Sequence, residues 1–600
     1  MQNIKNSRKF EKFSDFFAAP AAFLCVAITC SPLPASADTL TNSAITSISG
    51  ENIKLNQIGF LPNSHKLAVV PNGVVDRFKI VKTDSDIVVM SGHLTAARYW
   101  SASEETVKLA DFSSLVTPGK YKLRIDGLAD SIPFVIAPNA YKALNASALK
   151  AFYYNRASLS LPPKYAGVYA RREGHPDTHV LIHSSAASSA RPESTVISAP
   201  KGWYDAGDYN KYVVNSGITT YTLLAAYEHF PAFFKAQNVN IPESGNGIPD
   251  ILNEAMWNLE WMLSMQDPND GGVYHKLTNK NFDPLTVMPD RAVDERYVVQ
   301  KTTAAALDFA AVMATASRVL HPYEDKLPAG LPARMLRAAQ AAWKWAQANP
   351  AVLYKNPSDI RTGSYDDSEL SDEFSWAAAE LYIATRNDDF YSAIKTEDLN
   401  ATVPSWSDVG SLALISLAQN CDHLSARADC KLITNRIDGL AATLLAVWDN
   451  SAYGVSMQKE DFIWGGNGVA LNQAMILIQA YRLSGRRDYL NAAQSVLDYV
   501  LGRNAIGMSF VTGYGYQSPQ HPHHRISIAG GNRAPIPGMV VGGPQPGQQD
   551  KAGCSEAYPS SIPAISYLDN DCSYASNEVA INWDAPLVYV SAAIQALTAP

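Results

Sequence analysis

Two aspartates three residues apart, Asp205 and Asp208, lie in the stretch GWYDAGDYNKYVVNSG (202–217), among Trp203, Tyr204, Tyr209 and Tyr212. Carboxylates handle protons and aromatic faces stack on the apolar faces of sugar rings, so this mixture suits a carbohydrate cleft. A plainer reading is that one aspartate caps the helical pattern starting near Tyr212, a contact worth about 1 kcal/mol. Capping leaves the second aspartate and the four rings without a role.

Two further segments carry candidate chemistry. YLDNDCSYASNEVAINWDAP (567–586) again mixes acids with rings, through Asp569, Tyr574, Glu578 and Trp583. Glu578 also reads as a first-turn residue of a final helix, capped by Ser576 or Asn577, where a carboxylate complements the helix dipole. GYGYQSPQHPHHR (513–525) contains His521, His523 and His524. Three histidines on one proline-broken loop do not readily face one ion, and no acid or cysteine lies at ligand spacing. His523 and Arg525 fit better as hydrogen-bonding groups for a polyhydroxylated substrate.

The elements that must position these residues fall into two kinds. From 52 to 137, six or seven short β-rich runs alternate with turns, among them KLAVV (66–70), RFKIVKT (77–83), DIVVMSG (86–92), TVKLADF (106–112) and GKYKLRI (119–125). That spacing predicts an immunoglobulin-like β-sandwich over 51–138. Beyond Pro138 helical periodicity takes over, at 141–158, 211–229, 250–265, 300–320, 331–348, 371–386, 407–420, 432–448, 469–484, 487–503 and 583–598. Asp250, after Pro249, is the expected cap of the 250–265 helix. About a dozen helices over 139–600 predict a mainly α domain of hairpins closed into a ring. Long loops at 159–204, 267–299 and 505–575 are where such a scaffold presents a site.

Composition narrows the partners. With 49 basic against 57 acidic residues the chain is net acidic, which disfavours nucleic acid. Residues 1–37 read as a secretory signal: Lys5, Arg8, Lys9 and Lys12, the mostly apolar run 16–30, then Ala35-Ser36-Ala37. Lipidation at Cys30 is the rival reading. No other stretch reaches the ~18 continuous apolar residues of a membrane span, so a soluble secreted or periplasmic monomer is expected. Four cysteines remain, and in an exported chain they pair most simply as Cys421–Cys430 and Cys554–Cys572.

Together these segments resemble glycoside hydrolase family 9, the cellulase family with an (α/α)6 barrel. LNQIGFLP (55–62) looks like the start of the immunoglobulin-like module preceding many bacterial members. FYYNRAS, GWYDAGDYNKY, GNGIPDILNEA, GGVYHKL, the PHHR of 522–525 and SNEVAINWDAPLVY then follow in family order. The resemblance implies that Asp208 is the general base that activates water, assisted by Asp205, and that Glu578 is the general acid. It implies His523, Arg525 and the supporting acid Asp569 as further site residues, and His275 as a sugar-contacting histidine. Trp203, Tyr204, Tyr574 and Trp583 are the candidate stacking rings.

Inverting hydrolysis needs one protonated and one ionised carboxyl roughly 6.5–9.5 Å apart. Asp205 and Asp208 are too close in sequence to be those two halves, which is consistent with an acid from elsewhere. Catalysis of this kind uses no cofactor. TGSYDDSELSDEFSWA (362–377) is similar to a calcium loop, with Asp366, Asp372 and Glu373 as candidate ligands for a structural calcium, beside the plainer reading of a solvated acidic loop. Asp584 stands where the family pattern has Asn, which bears on the acid's pKa or a sugar contact. The expected activity is endo-1,4-β-glucanase action on cellulose and related β-glucans. The alternatives are an exo-acting cellodextrinase, β-glucosidase or glucosaminidase, and a glycan binder without catalysis, which the retained acids argue against.

Overall fold

The computed structural model describes residues 53–394, 399, 401–531 and 534–598. The expected signal segment, 1–37, lies outside them. Seven strands open the described chain: β1 (Leu67–Pro71), β2 (Arg77–Lys82), β3 (Val88–His93), β4 (Arg98–Trp100), β5 (Glu105–Asp111), β6 (Gly119–Arg124) and β7 (Phe134–Ile136). They form two antiparallel sheets, ordered β1-β5-β4 and β3-β2-β6-β7. Alternate residues such as Phe78, Ile80, Tyr121 and Leu123 turn inward onto Phe60, Phe112 and Phe134, as the two-residue period of a half-buried strand requires.

Twelve helices follow in outer–inner alternation: α1 (Lys142–Tyr154), α2 (Val213–His229), α3 (Asp250–Ser264), α4 (Thr303–Leu320), α5 (Leu331–Ala348), α6 (Ser371–Thr385), α7 (Asp388–Ala393), α8 (Gly410–Asn420), α9 (Cys430–Asn450), α10 (Gly466–Ser484), α11 (Arg487–Val500) and α12 (Ile581–Leu597). The inner helices α2, α4, α6, α8, α10 and α12 line the barrel, and each packs on its outer partner. Sequence dictates the layer. TAAALDFAAVMATASRVL in α4 is mostly apolar and buries every residue but Arg318. α5 buries only Leu331, Pro332, Met335, Ala339, Ala342, Trp343 and Ala346 and leaves arginines outward. Among the described helices only Thr303–Lys326 is long and apolar enough to cross a membrane, and it is a buried core helix.

A small sheet on the barrel rim gathers the long loops: β8 (Val180–Ile182), β9 (Val196–Ile197), β10 (Lys211–Tyr212), β11 (Lys276–Thr278) and β12 (Arg296–Val298), in the order β10-β11-β12-β8-β9. It links segments 159–204 and 267–299 directly to the Asp205–Asp208 turn. The disulfides Cys421–Cys430 and Cys554–Cys572 are both formed, as the spacing suggested.

Three local expectations are corrected. Neither Asp205 nor Asp208 caps a helix, because α2 starts after Tyr212 without a side-chain cap. Asp250 is the first residue of α3, not its cap, and its carboxylate accepts from the Val239 amide and the Ser244 hydroxyl. Glu578 does not open the last helix: it stands in extended backbone (φ −71°, ψ 151°), and α12 begins at Ile581 after Ala580.

Candidate active site

The Asp-Ala-Gly-Asp turn is closed by the Asp205 amide donating to the Asn210 carbonyl, and its Asp205 carbonyl accepts from the Ile581 amide at the start of α12 (2.9 Å). A buried ion cluster supports it from below. Asp177 pairs with Lys211 (2.7 Å) and Arg296 (3.2 Å), and Arg296 also donates to the Tyr209 carbonyl. The two carboxylates then diverge in their partners. Asp205 accepts from Asn215 Nδ2 (2.7 Å) and the Tyr365 hydroxyl (2.7 Å). Asp208 Oδ2 accepts from Asn210 Nδ2 (2.5 Å) and the Tyr212 hydroxyl (3.0 Å). Burial, and then the charge of Asp208, push Asp205 up to about 8.

Glu578 is brought to this turn from the far end of the chain. Its Oε1 accepts from the Gly207 amide (3.2 Å), its carbonyl accepts from the Gly542 amide, and its strand pairs with His523. Burial first, then the Asp208 charge, hold the Glu578 carboxyl well above the usual carboxylate range. Gly207 permits this approach: a Cβ there would stand 2.4 Å from the His523 carbonyl and 3.0 Å from Glu578 Oε1. The site therefore sets a proton-bearing acid and a donor-wrapped carboxylate on either side of one glycine.

His523 donates from Nδ1 to the Asp571 carbonyl (2.6 Å), which fixes the tautomer with the lone pair on Nε2, and burial lowers its pKa. Asp569 accepts from the Gln520 and His521 amides and from Asn577 Nδ2, so it holds the histidine loop. The neighbouring Cys554–Cys572 bond ties down the segment bearing Asp569 and Asp571.

Two similarities to known proteins bear on this geometry. The description "Glycosyl hydrolase family 9" matches residues 141–591, and "Cellulase N-terminal ig-like domain" matches 49–130. The chain belongs to glycosyl hydrolase family 9. It is 43% identical over 592 residues to a xyloglucan-specific endo-β-1,4-glucanase of Bacteroides ovatus, covering 95% of this chain and 96% of that protein. Endoglucanase D of Acetivibrio thermocellus is 34% identical over 548 residues, covering 90% and 83%. The solved structure titled Bacteroides ovatus GH9 superposes with a TM-score of 0.86 at 41% identity, covering 91% of this chain and 99% of that one. This family 9 chain is a glycoside hydrolase of β-1,4-glucans with an (α/α)6 barrel behind an immunoglobulin-like sandwich.

Not every predicted site residue faces the cleft of this family 9 barrel. Trp203 and Tyr204 are fully buried, packed on Phe152 and on His175 and Tyr209, so neither offers a ring face for stacking. His275 is also buried. Its Nδ1 faces the Thr302 hydroxyl, its Nε2 the Ser364 carbonyl, and its ring stacks 3.8 Å from Tyr354, so it braces the 362–367 loop; burial depresses it to about 3. Arg525 spends its Nε on the Asp283 carbonyl and Nη1 on the Gly207 carbonyl (2.7 Å each), which braces the Asp205–Asp208 turn. Tyr574 and Trp583 are half-buried. Tyr574 leans on Trp464 and on His523, and Trp583 is seated against Gly465 and Gly468.

Sequence reasoning missed several contributors. Tyr365, Asn210 and Asn215 supply carboxylate donors, and Trp464, 43% exposed, adds a ring beside Tyr574. Tyr365 lies inside the segment read only for calcium. Trp464 sits in FIWGGNG, where an aromatic on a glycine-rich loop was the available signal.

Asp584 is buried and accepts from the Val540 amide (2.6 Å), away from the charges that bear on Glu578, which are Asp208, Asp205 and Arg525. The calcium expectation also changes membership. Asp366 is exposed and accepts from the Ser364 hydroxyl, outside the acidic cluster. Asp308, Asp367 and Glu373 instead carry buried carboxylate oxygens without hydrogen-bond partners, and Asp372 interacts with them. Such orphaned oxygens fit a hard cation in chemistry. Among the described residues, no three acids, histidines or cysteines are arranged to ligate a metal ion.

Proposed function

We propose that this protein is an exported, monomeric, inverting endo-1,4-β-glucanase with Glu578 as general acid and Asp208 as general base. The observation that carries this is the sharing of Gly207. Its amide meets a carboxyl held above the usual range, and the next residue is a carboxylate wrapped in donors. Glu578 gives its proton to the glycosidic oxygen as the C1–O bond breaks, and Asp208 takes a proton from the water that forms the new bond to C1. Asp205 holds the water. His523 and Arg525 fix the loop and turn; Tyr574, Trp464 and Trp583 are the rings available to glucan.

Residues 1–37 form the signal, 51–138 the supporting sandwich and 139–600 the hydrolase domain. The two disulfides support an oxidising destination, outside the cytoplasm or in the periplasm. The orphaned carboxylate oxygens of Asp308, Asp367 and Glu373 suit a hard cation in chemistry but are not arranged as a ligand set, so a structural calcium is left to a binding test. The alternative activity is exo-action from a cleft closed at one end, for which the 159–204 segment on the rim sheet is the candidate wall. Early products from a six-glucose oligosaccharide, with mixed-linkage glucan and xyloglucan in parallel, test both. Mixed internal fragments with a rapid fall in viscosity are expected; glucose or cellobiose alone with viscosity preserved would establish the exo alternative.

A further inference from the structure

Lys276 lies in β11 and is wholly buried, with no acidic side chain within salt-bridge distance among the described residues. An unpaired buried ammonium is costly unless its surroundings use it. Its Nζ donates to Thr362 Oγ1 (3.0 Å), to the Gly363 carbonyl (2.5 Å) and to Asn356 Oδ1 (2.9 Å). The first two contacts begin two paths that converge on one oxygen.

Along the first path, Thr362 Oγ1 is 2.6 Å from Thr278 Oγ1, Thr278 donates to Asn210 Oδ1 (3.0 Å), and Asn210 Nδ2 donates to Asp208 Oδ2 (2.5 Å). Thr278 Oγ1 also lies 2.8 Å from the Asn279 carbonyl, and the Asn279 amide donates to Asn210 Oδ1 (2.9 Å), so Asn210 is held from both sides with its Nδ2 aimed at Asp208. Along the second path, Lys276 holds Gly363, whose amide donates to the Tyr212 hydroxyl (3.1 Å), and Tyr212 donates to Asp208 Oδ2 (3.0 Å). Aligned donors polarise one another in a low-dielectric interior.

We infer that Lys276 is a positioning residue for the general base: it orients both donors on Asp208 Oδ2 and supplies the buried positive charge that favours the ionised carboxylate. The inference rests on Asp208 being that base. Burial lowers Lys276 to about 7, with the charges of Asp208 and Asp366 opposing the shift. The other charged or titratable groups bearing on Asp208 are Asp205, Glu578, His523, Tyr212 and Asp283. Any negative charge on Asp205 or Glu578 repels that of Asp208, and Lys276 is the buried cation that offsets it.

The test compares Lys276→Met, Lys276→Gln, Thr362→Val and Asp208→Asn on a six-glucose oligosaccharide, measuring kcat, KM, the pH profile of kcat/KM and Tm. Both lysine variants are expected to lower kcat at least about 10-fold with KM within about threefold, and to move the acidic limb of the profile upward by about half a unit or more. A purely structural role lowers Tm without moving the limb. Thr362→Val keeps the charge but breaks the first path, so it lowers kcat severalfold and leaves the limb in place. Wild-type kcat and an unmoved limb in a folded lysine variant overturn the inference. Should both lysine variants fail to fold, wild-type kcat in Thr362→Val overturns it. An active Asp208→Asn overturns the assignment of the base itself, which separates the two failures.

Discussion

Gly207→Ala isolates the packing on which the acid–base arrangement depends. The added Cβ would stand 2.4 Å from the His523 carbonyl oxygen, 2.7 Å from its ring Cδ2 and 3.0 Å from Glu578 Oε1. Ordinary contact starts at 3.4 Å, so the shortest of these must open by 3.4 − 2.4 = 1.0 Å. Neither neighbour yields freely. The His523 backbone pairs with the Glu578 strand, and the Gly207 carbonyl accepts from both the Arg525 amide and its guanidinium. The strain of overpacking costs about 1–3 kcal/mol. A displacement of about 1 Å in a catalytic group costs about 100-fold in rate. Steady-state kinetics on a six-glucose oligosaccharide should give a kcat reduced about 100-fold, a KM within a few-fold, and a folded protein with a modestly lower Tm. A kcat within twofold of wild type would refute the argument that Gly207 sets the acid against the turn.

Three further outcomes follow from the same structure. Asp208→Asn and Glu578→Gln should each lower turnover at least about 100-fold with the fold intact by circular dichroism; near-normal turnover in either removes that residue from its role. Asp498, Glu254 and Asp205 are raised by burial to about 6, about 7 and about 8, above their unfolded values near 4. The folded state binds these protons more tightly, so their stabilisation is present below pH 4 and is lost as pH rises through 6 to 8, while buried bases such as Lys276 and His275, lowered to about 7 and about 3, act in the opposite sense; the acid share is read from the Tm of wild type relative to Glu254→Gln, which should fall between pH 5 and pH 8, and a rise would contradict it. The Asp308–Asp367–Asp372–Glu373 cluster is tested by chelation: a Tm lowered by chelator and restored by calcium would place the ion there, and a Tm indifferent to both rules it out.

Much of this was legible in the chain. The helical period located eleven of the twelve barrel helices within a few residues, because a largely apolar run such as that of α4 is easy to read; the six-residue α7 was missed. The DAGD turn was legible because two acids beside four rings exceed what capping requires. Exposure was not legible. Trp203 and Tyr204 flank the acids in sequence, but they face the core and leave stacking to Tyr574 and Trp464. His275 reads as a sugar contact until Ser364 and Thr302 are seen to occupy both nitrogens. Glu578 looked helical because Ser576 and Asn577 are good caps; the strand contact with His523, 55 residues away, overrides that local preference. Asp366 and Asp367 are adjacent and chemically equal, and only tertiary packing decides which one turns inward.

The anomeric configuration of the first product tests the central claim most directly. Proton NMR during the first minutes of β-1,4-glucan hydrolysis should show the α-anomer appearing before mutarotation, because a water activated by Asp208 attacks C1 from the face opposite the group protonated by Glu578. The β-anomer appearing first would mean retention through a covalent intermediate and would contradict the roles given to both residues.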